Sequence, residues 1–257
     1  MIKLATPISH LFENKDYSKI IIDNSDCLEC RDRSIVSLEK QQELFHCELQ
    51  PIHQWSNEEF EYLQTIKNTK EDLKLITFHM ASSCDNPIIK NNMFELGGKE
   101  YTKEELLINA KHNFEKIKKI FGDDIIIAVE NNNYYPTYAY KYITDTNFIS
   151  KVVYDNNINF LFDIAHAKVT CYNQNINFEK YKEQLPLDKM IQIHICSYDI
   201  DTDKNMAFDA HNYPDDDELL EVKKLISNYK DVKYLTVEYY RDIENLEKSL
   251  KKVRKLI

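Results

Sequence analysis

Eight short runs dense in apolar and β-branched residues recur along the chain: 4–9 (LATPIS), 19–23 (KIIID), 43–47 (ELFHC), 74–79 (KLITFH), 124–130 (DIIIAVE), 159–164 (NFLFDI), 190–195 (MIQIHI) and 233–238 (KYLTVE). Amphipathic stretches fill most of the gaps. Ser56 with Glu59 has the spacing of a capping box, and Phe60, Leu63 and Ile66 follow at helical intervals. Thr102 with Glu105 repeats the device ahead of Leu106, Ala110, Phe114, Ile117 and Phe121. Leu219, Leu220, Val222, Leu225 and Ile226 stripe a further helix, and Ile243, Leu246, Leu250 and Val253 stripe the last. Strands that alternate with helices predict a parallel sheet, and eight such units predict a closed (β/α)8 TIM barrel of the α/β class. The length, 257 residues, suits one such domain over 1–257. The irregular stretch 81–101 reads as a loop or lid.

Within the strands the alternation carries more. Side chains on a strand point to opposite faces in turn. With Glu130 inward, Ala128 is inward while Ile127 and Val129 face the helices. His79 shares its face with Thr77 against Ile76 and Phe78; Asp163 with Leu161 against Phe160 and Phe162; His194 with Gln192 against Ile191 and Ile193. Glu238 shares its face with Thr236 against Leu235 and Val237, and His46 with Leu44 against Phe45 and Cys47. Bulky apolar residues hold one parity and a polar residue with a metal-binding side chain holds the other. All six therefore point into the mouth formed by the C-terminal strand ends, where barrel chemistry sits. His166, three residues after Asp163, and the Asp209-Ala210-His211 triplet complete a set of nine donors: His46, His79, Glu130, Asp163, His166, His194, Asp209, His211 and Glu238. It contains five of the eight histidines.

Nine ligands exceed one coordination sphere, so the set predicts two or three ions with bridging carboxylates. Without cations, four buried carboxylates would repel one another and be driven to protonate. Imidazole and carboxylate suit iron, with zinc or manganese as alternatives. Glu130, Asp163, His194, Asp209 and His211 are expected to take part in the chemistry. Arg241 is a candidate for a substrate carboxylate, and Asn131 and Tyr134, at the head of the aromatic stretch that runs to Tyr142, for substrate contact. His10, His53 and His112 lie outside the pattern, His112 solvated on a helix and His53 with a surface role. Cys84 and Cys196 read as small buried thiols, although Cys196, two residues past His194, has the parity to face the site.

Composition narrows the partners. The net charge of −10 disfavours a nucleic-acid backbone. Three glycines leave no glycine-rich phosphate loop. The N-terminal segment lacks the pattern of a signal peptide and no apolar run is long enough for a bilayer, which points to the cytoplasm and no membrane partner. The six cysteines show no disulfide-framework spacing; Cys27-x-x-Cys30 is a lone CxxC that reads as two thiols in a loop after a strand.

The segments HCELQ, FHMASS, ENNNYY, DIAHAKVTCYNQN, HICS, DAHNYP and VEYYRD, from about residue 40 onward, resemble the multinuclear non-haem iron-dependent oxidases, a branch of the xylose-isomerase-like barrels. The resemblance implies two or three irons and dioxygen-dependent modification of cysteine or neighbouring residues in a ribosomally made precursor peptide, often with a partner protein that holds the peptide leader. Ser197 and Ala210 depart from the glycine and threonine common there, and the first strands match poorly. The ligand order is also similar to endonuclease IV, a trinuclear zinc phosphodiesterase, and a sugar isomerase or epimerase of the same superfamily is a further alternative. His46, His79, His166 and Asp209-x-His211 are surplus to the latter.

Overall fold

A computed structural model describes residues Met1–Ile257. Eight parallel strands close into a barrel: β1 (Lys3–Pro7), β2 (Cys27–Arg31), β3 (Leu44–Cys47), β4 (Leu75–Phe78), β7 (Ile126–Glu130), β8 (Asn159–Asp163), β9 (Met190–Ile195) and β12 (Tyr234–Val237), with β1 paired to both β2 and β12. Two antiparallel hairpins stand apart from it, β5 (Ile88–Lys90) with β6 (Met93–Glu95), and β10 (Ser197–Asp201) with β11 (Met206–Asn212). The main outer helices are α1 (Lys15–Asn24), α2 (Asn57–Thr69), α3 (Lys103–Phe121), α4 (Thr146–Asp155), α5 (Ile164–Gln174), the short α6 (Phe178–Lys182), α7 (Asp216–Asn228) and α8 (Ile243–Arg254).

The helix starts follow local rules. Both capping boxes form: Ser56 accepts from the backbone of α2 and Glu59 accepts from Ser56 N, and Thr102 and Glu105 do the same for α3. Phe162, Phe160, Ile193, Val129 and Phe78 are buried in the belt between barrel and helices. Toward the N-terminal strand ends lies a much smaller apolar floor of Ala5, Cys27, Leu44, Leu75, Ala128, Ile191 and Tyr234, all but Ile191 of inward parity. Above it the barrel interior turns polar, with Glu29, Thr77, Gln192 and Thr236 all buried. The apolar belt thus holds the barrel together, and the upper interior is left for chemistry.

One predicted strand is wrong. The run at 19–23 lies inside α1, and the second strand is Cys27–Arg31. Ile20, Ile21 and Ile22 favour a strand by propensity, but Asn14 caps the helix by accepting from Asp16 N and Tyr17 N. Only Ile21 of the helix is fully buried, as suits an outer element. The strand that replaces it, CLECR, is buried despite its charge because it lines the interior. Cys27 and Cys30 consequently sit within β2 on opposite faces and not in a loop. The stretch 81–101 is more ordered than expected, with the β5–β6 hairpin at its centre. Gly97 and Gly98 close its base, where a Cβ on Gly97 would lie 2.3 Å from the Asn86 carbonyl oxygen. His53 is buried rather than on the surface: its Nε2 is 2.8 Å from the Ser82 carbonyl and its ring stacks on Tyr101.

Truncating a belt residue tests this division. Phe162→Ala should cost about 3–5 kcal/mol by loss of buried surface and cavity formation, read as a lower denaturant midpoint, whereas substitutions at the mouth should cost far less in the metal-free protein.

Candidate metal centre

All nine candidate donors meet at the C-terminal mouth. Glu130, from the end of β7, is central. Its Oε2 lies 3.4 Å from His46 Nε2 and 3.5 Å from His79 Nδ1, and its Oε1 lies 3.3 Å from His194 Nδ1 and 3.8 Å from His166 Nδ1. Asp163 Oδ2 is 3.9 Å and Glu238 Oε1 3.4 Å from His194 Nδ1. On the far side, His166 Nε2 is 3.5 Å from Asp209 Oδ2, which is 3.2 Å from His211 Nδ1, and His211 Nε2 is 3.6 Å from Glu238 Oε2. Six barrel-strand ends, the first turn of α5 and β11 therefore supply one connected constellation. Asp163 and His194 form its fully buried floor, while His46, His79, Glu130, His166, Asp209, His211 and Glu238 line a cavity of about 760 Å³ above it.

Several positions are locally over-determined. Asp163 caps α5 by accepting from His166 N at 2.7 Å, so β8 and the helix register together fix the spacing of these two donors. His166 Nδ1 lies 2.9 Å from the Asn131 carbonyl. A carbonyl only accepts, so Nδ1 carries a proton and Nε2 is the ring nitrogen that faces Asp209. His211 adopts φ of +43°, a left-handed conformation costly for a residue with a Cβ and characteristic of functional positions. Arg241 holds this segment by donating to the Ala210 carbonyl at 2.6 Å.

Buried polar atoms nearly always find partners. Here His46 Nδ1, Asp163 Oδ2 and His194 Nδ1 are buried without one, and they are three of only four such side-chain atoms in the protein. Donor atoms of His46, His79 and Glu130 lie mutually close, as do those of Glu130, Asp163 and His166, so the two groups share Glu130. Asp163, Cys196 and Glu238 form a further group. Unpartnered lone pairs, overlapping groups and a shared carboxylate fit more than one divalent ion.

The electrostatics of the protein without metal agree. Burial pushes Asp163 up to about 6. For Glu130 burial acts in the same direction, but His46 and His166 outweigh it and hold the carboxyl well below its ordinary range. Burial depresses His79 to about 3 and His211 to about 4. Burial would depress His166 and His194 too, yet the facing carboxylates win: Asp163 and Glu130 raise His166 well above normal, and Glu29 and Glu130 raise His194 to about 9. Protons on two imidazoles thus supply, without metal, part of the positive charge that the carboxylates need.

Sequence reasoning missed Glu29, Arg31 and Arg33 because it placed the second strand in α1; the alternation of Cys27, Glu29 and Arg31 on one parity was the available signal. Arg31 and Arg33 line the cavity, and Arg33 stacks over Tyr240, which itself packs against His211. Of the proposed substrate residues, Asn131 is buried, its amide bridging both to the Asp163 N–H and to the Asp163 carbonyl at 2.9 Å. Tyr134 packs on Tyr140, and neither it nor Arg241 lines the cavity. Cys196 is buried with its sulfur 3.8 Å from Asp209, inside the site rather than beside it.

A closed parallel barrel whose mouth gathers nine imidazole and carboxylate side chains has the donor chemistry of a candidate metal centre. The sequence profile of the family described as RiPP precursor modification enzyme MbnB/TglH/ChrH matches residues 52–257, and the chain belongs to this family, whose members act on ribosomally made precursor peptides. A UPF0276 protein of Paraburkholderia phytofirmans is 27% identical over 150 residues, 56% of this chain and 46% of that protein, so the chain matches about half the length of this relative. Among solved structures, the 3-keto-D-glucoside 4-epimerase YcjR of E. coli superposes with a TM-score of 0.64 at 11% identity, covering 100% of this chain and 99% of the other. A xylose isomerase-like TIM barrel protein from Mycobacterium smegmatis, in complex with magnesium, gives 0.50 at 11% identity over 97% and 80%. At such identities these two establish the fold alone.

Metal should displace the protons held on His166 and His194. Loading the apoprotein at neutral pH is expected to acidify a weakly buffered solution, as a pH indicator would show; loading with no proton release would contradict the assignment. Asp209→Ala and His211→Ala should bind less metal by elemental analysis while keeping the circular dichroism of the barrel.

Proposed function

We propose that this protein is a multinuclear iron-dependent oxidase that uses dioxygen to modify a ribosomally made precursor peptide, with a cysteine of that peptide as the reacting residue. The observation that carries this reading is the single connected cluster of nine imidazole and carboxylate donors, with unpartnered buried lone pairs, in a family that modifies such precursors. His46, His79, Glu130, Asp163, His166, His194, Asp209, His211 and Glu238 would hold two or three ions. Iron suits the donor set and, unlike zinc, supplies a change of oxidation state. Glu130, Asp163, His194, Asp209 and His211 would take part in the chemistry as holders of the reacting ions.

The chain's own groups account for the rest. The floor excludes water, since Asp163 and His194 have no measurable exposure. Arg31, Arg33 and Lys204 bring positive charge to a cavity also lined by the carboxylates of Glu48, Glu130, Asp201, Asp209 and Glu238, which favours an anionic substrate group such as a thiolate or carboxylate. Two hairpins form the upper walls. Ile89, Met93 and Phe94 come from one, and Met206 and Phe208 from the other. Apolar walls above a charged floor suit an extended peptide: one residue reaches down while its neighbours lie across the rim. A partner protein that holds the leader of the peptide belongs to the same reading.

The test is reconstitution of the anaerobically purified apoprotein with ferrous iron or with zinc. Oxygen uptake with a cysteine-containing precursor peptide is expected only with iron. Hydrolysis of abasic DNA by the zinc form, with no oxygen uptake by the iron form on any such peptide, would favour the phosphodiesterase alternative. Ile89→Asp and Phe208→Asp should raise KM for the peptide several-fold with metal content unchanged; equal KM values would remove the hairpins from the binding surface.

A further inference from the structure

Glu29 is the most heavily hydrogen-bonded carboxylate near the site, and it lies on β2, outside the residues that the family profile matches. It is 1% exposed. Its Oε2 is 2.9 Å from His194 Nε2, 2.8 Å from Gln192 Nε2 and 3.4 Å from Thr236 Oγ1. Its Oε1 accepts from Arg31 Nε at 3.1 Å and from Arg31 Nη2 at 2.8 Å. Arg31 Nη2 also donates to Glu238 Oε1. One carboxylate therefore reaches two members of the donor cluster, His194 on β9 directly and Glu238 beyond β12 through a guanidinium.

The hydrogen-bond chemistry determines what this does. A carboxylate only accepts. Gln192 places its two amide hydrogens on Glu29 and on Thr236 Oγ1, the latter at 2.8 Å. The bond between Glu29 and the imidazole must then come from the N–H at His194 Nε2. That leaves Nδ1, the unpartnered atom 3.3 Å from Glu130 and 3.4 Å from Glu238, as the ring nitrogen that faces the cluster and would offer its lone pair to an ion once its proton is displaced. Gln192 Nε2 also lies 3.0 Å from His194 Nε2, but its hydrogens point to Glu29 and Thr236, and a bare Nε2 would set its lone pair against Glu29 Oε2 at 2.9 Å. Ligand atoms of Glu29, His46 and His194 also lie mutually close, but both Glu29 oxygens are already occupied by donors, which competes with direct ligation. Through Arg31 it also limits which Glu238 oxygen is free: Oε1 is engaged, and Oε2 faces His211.

We infer that Glu29 and Arg31 are positioning residues that orient His194 and Glu238 for metal, so that β2 completes the centre without contributing a ligand to it. This rests on the metal-centre reading above. Outer partners of ligating histidines commonly change metal affinity by about 10–100-fold when removed. The fork that Arg31 makes between two carboxylates is a geometry that lysine cannot reproduce.

The experiment titrates ferrous iron (anaerobically) and zinc into wild type, Glu29→Gln and Arg31→Lys, with thermal unfolding of each metal-free protein alongside. Glu29→Gln is expected to weaken at least one metal equivalent by tenfold or more, and Arg31→Lys to weaken it in the same direction. In the zinc form of wild type, proton NMR should show a slowly exchanging His194 Nε2–H resonance that shifts or broadens in Glu29→Gln. Loss of thermal stability alone, with affinity and this resonance unchanged in both variants, would overturn the inference by reducing the pair to a structural brace. So would a metal-loaded crystal structure with a Glu29 oxygen about 2.1 Å from an ion, the distance of a direct ligand. If Glu29→Gln does not fold, Arg31→Lys decides by the same titration. Should wild type itself bind neither metal, the metal-centre reading fails, a result distinct from wild type and variants binding alike.

Discussion

The mouth of this barrel crowds five carboxylates, those of Glu29, Glu130, Asp163, Asp209 and Glu238, into a buried volume, and that concentration of negative charge is the constraint on which the site depends. In a medium of low dielectric such a group is stable only if cations or protons offset it. Imidazoles interleave with the carboxylates at 2.9–4.0 Å around the whole cluster. One buried guanidinium, that of Arg31, spans the gap between β2 and β12. The same arrangement that balances the charge also leaves His46 Nδ1, Asp163 Oδ2 and His194 Nδ1 without hydrogen-bond partners.

That arrangement is possible because stability is generated elsewhere. The apolar belt between strands and helices carries the core, and the inward apolar floor lies near the opposite end of the barrel. The upper interior is thus free to hold polar groups that would be costly in a packed core. Strain is tolerated there as well: His211 sits in a left-handed conformation while the Arg241 guanidinium pins the adjacent carbonyl. The two hairpins add apolar walls to this charged floor.

Much of this was legible in the chain because a barrel strand has period two and a single inward direction. Phe78, Val129, Phe162, Ile193 and Val237 all face the helices, so the polar residue at each strand end had to face the mouth. Where period two was absent the reading faltered. Ile20, Ile21 and Ile22 are a continuous apolar run, compatible with either a strand or a helix, and the Asn14 cap with the need for an outer element between β1 and β2 made it helical. That one misplacement hid Glu29 and Arg31. His53 was given a surface role because nothing local to it signals the Ser82 carbonyl or Tyr101.

The amino-acid sequence by itself determined the barrel, through the alternation of strands and helices, and the inward direction of six candidate donors, through strand parity; both are local properties that neighbouring residues enforce. The tertiary structure alone decided which donors share a carboxylate, which ring nitrogen faces the cluster, and that β2 supports the site from beneath. Those depend on distances between residues as far apart in the chain as Glu29 and His194 or Arg31 and Glu238, and such distances exist only once the barrel has closed. The same holds for Asn131 and Arg241: at the mouth by position, they are occupied by backbone partners, Asp163 and Ala210, that only the folded chain brings within reach.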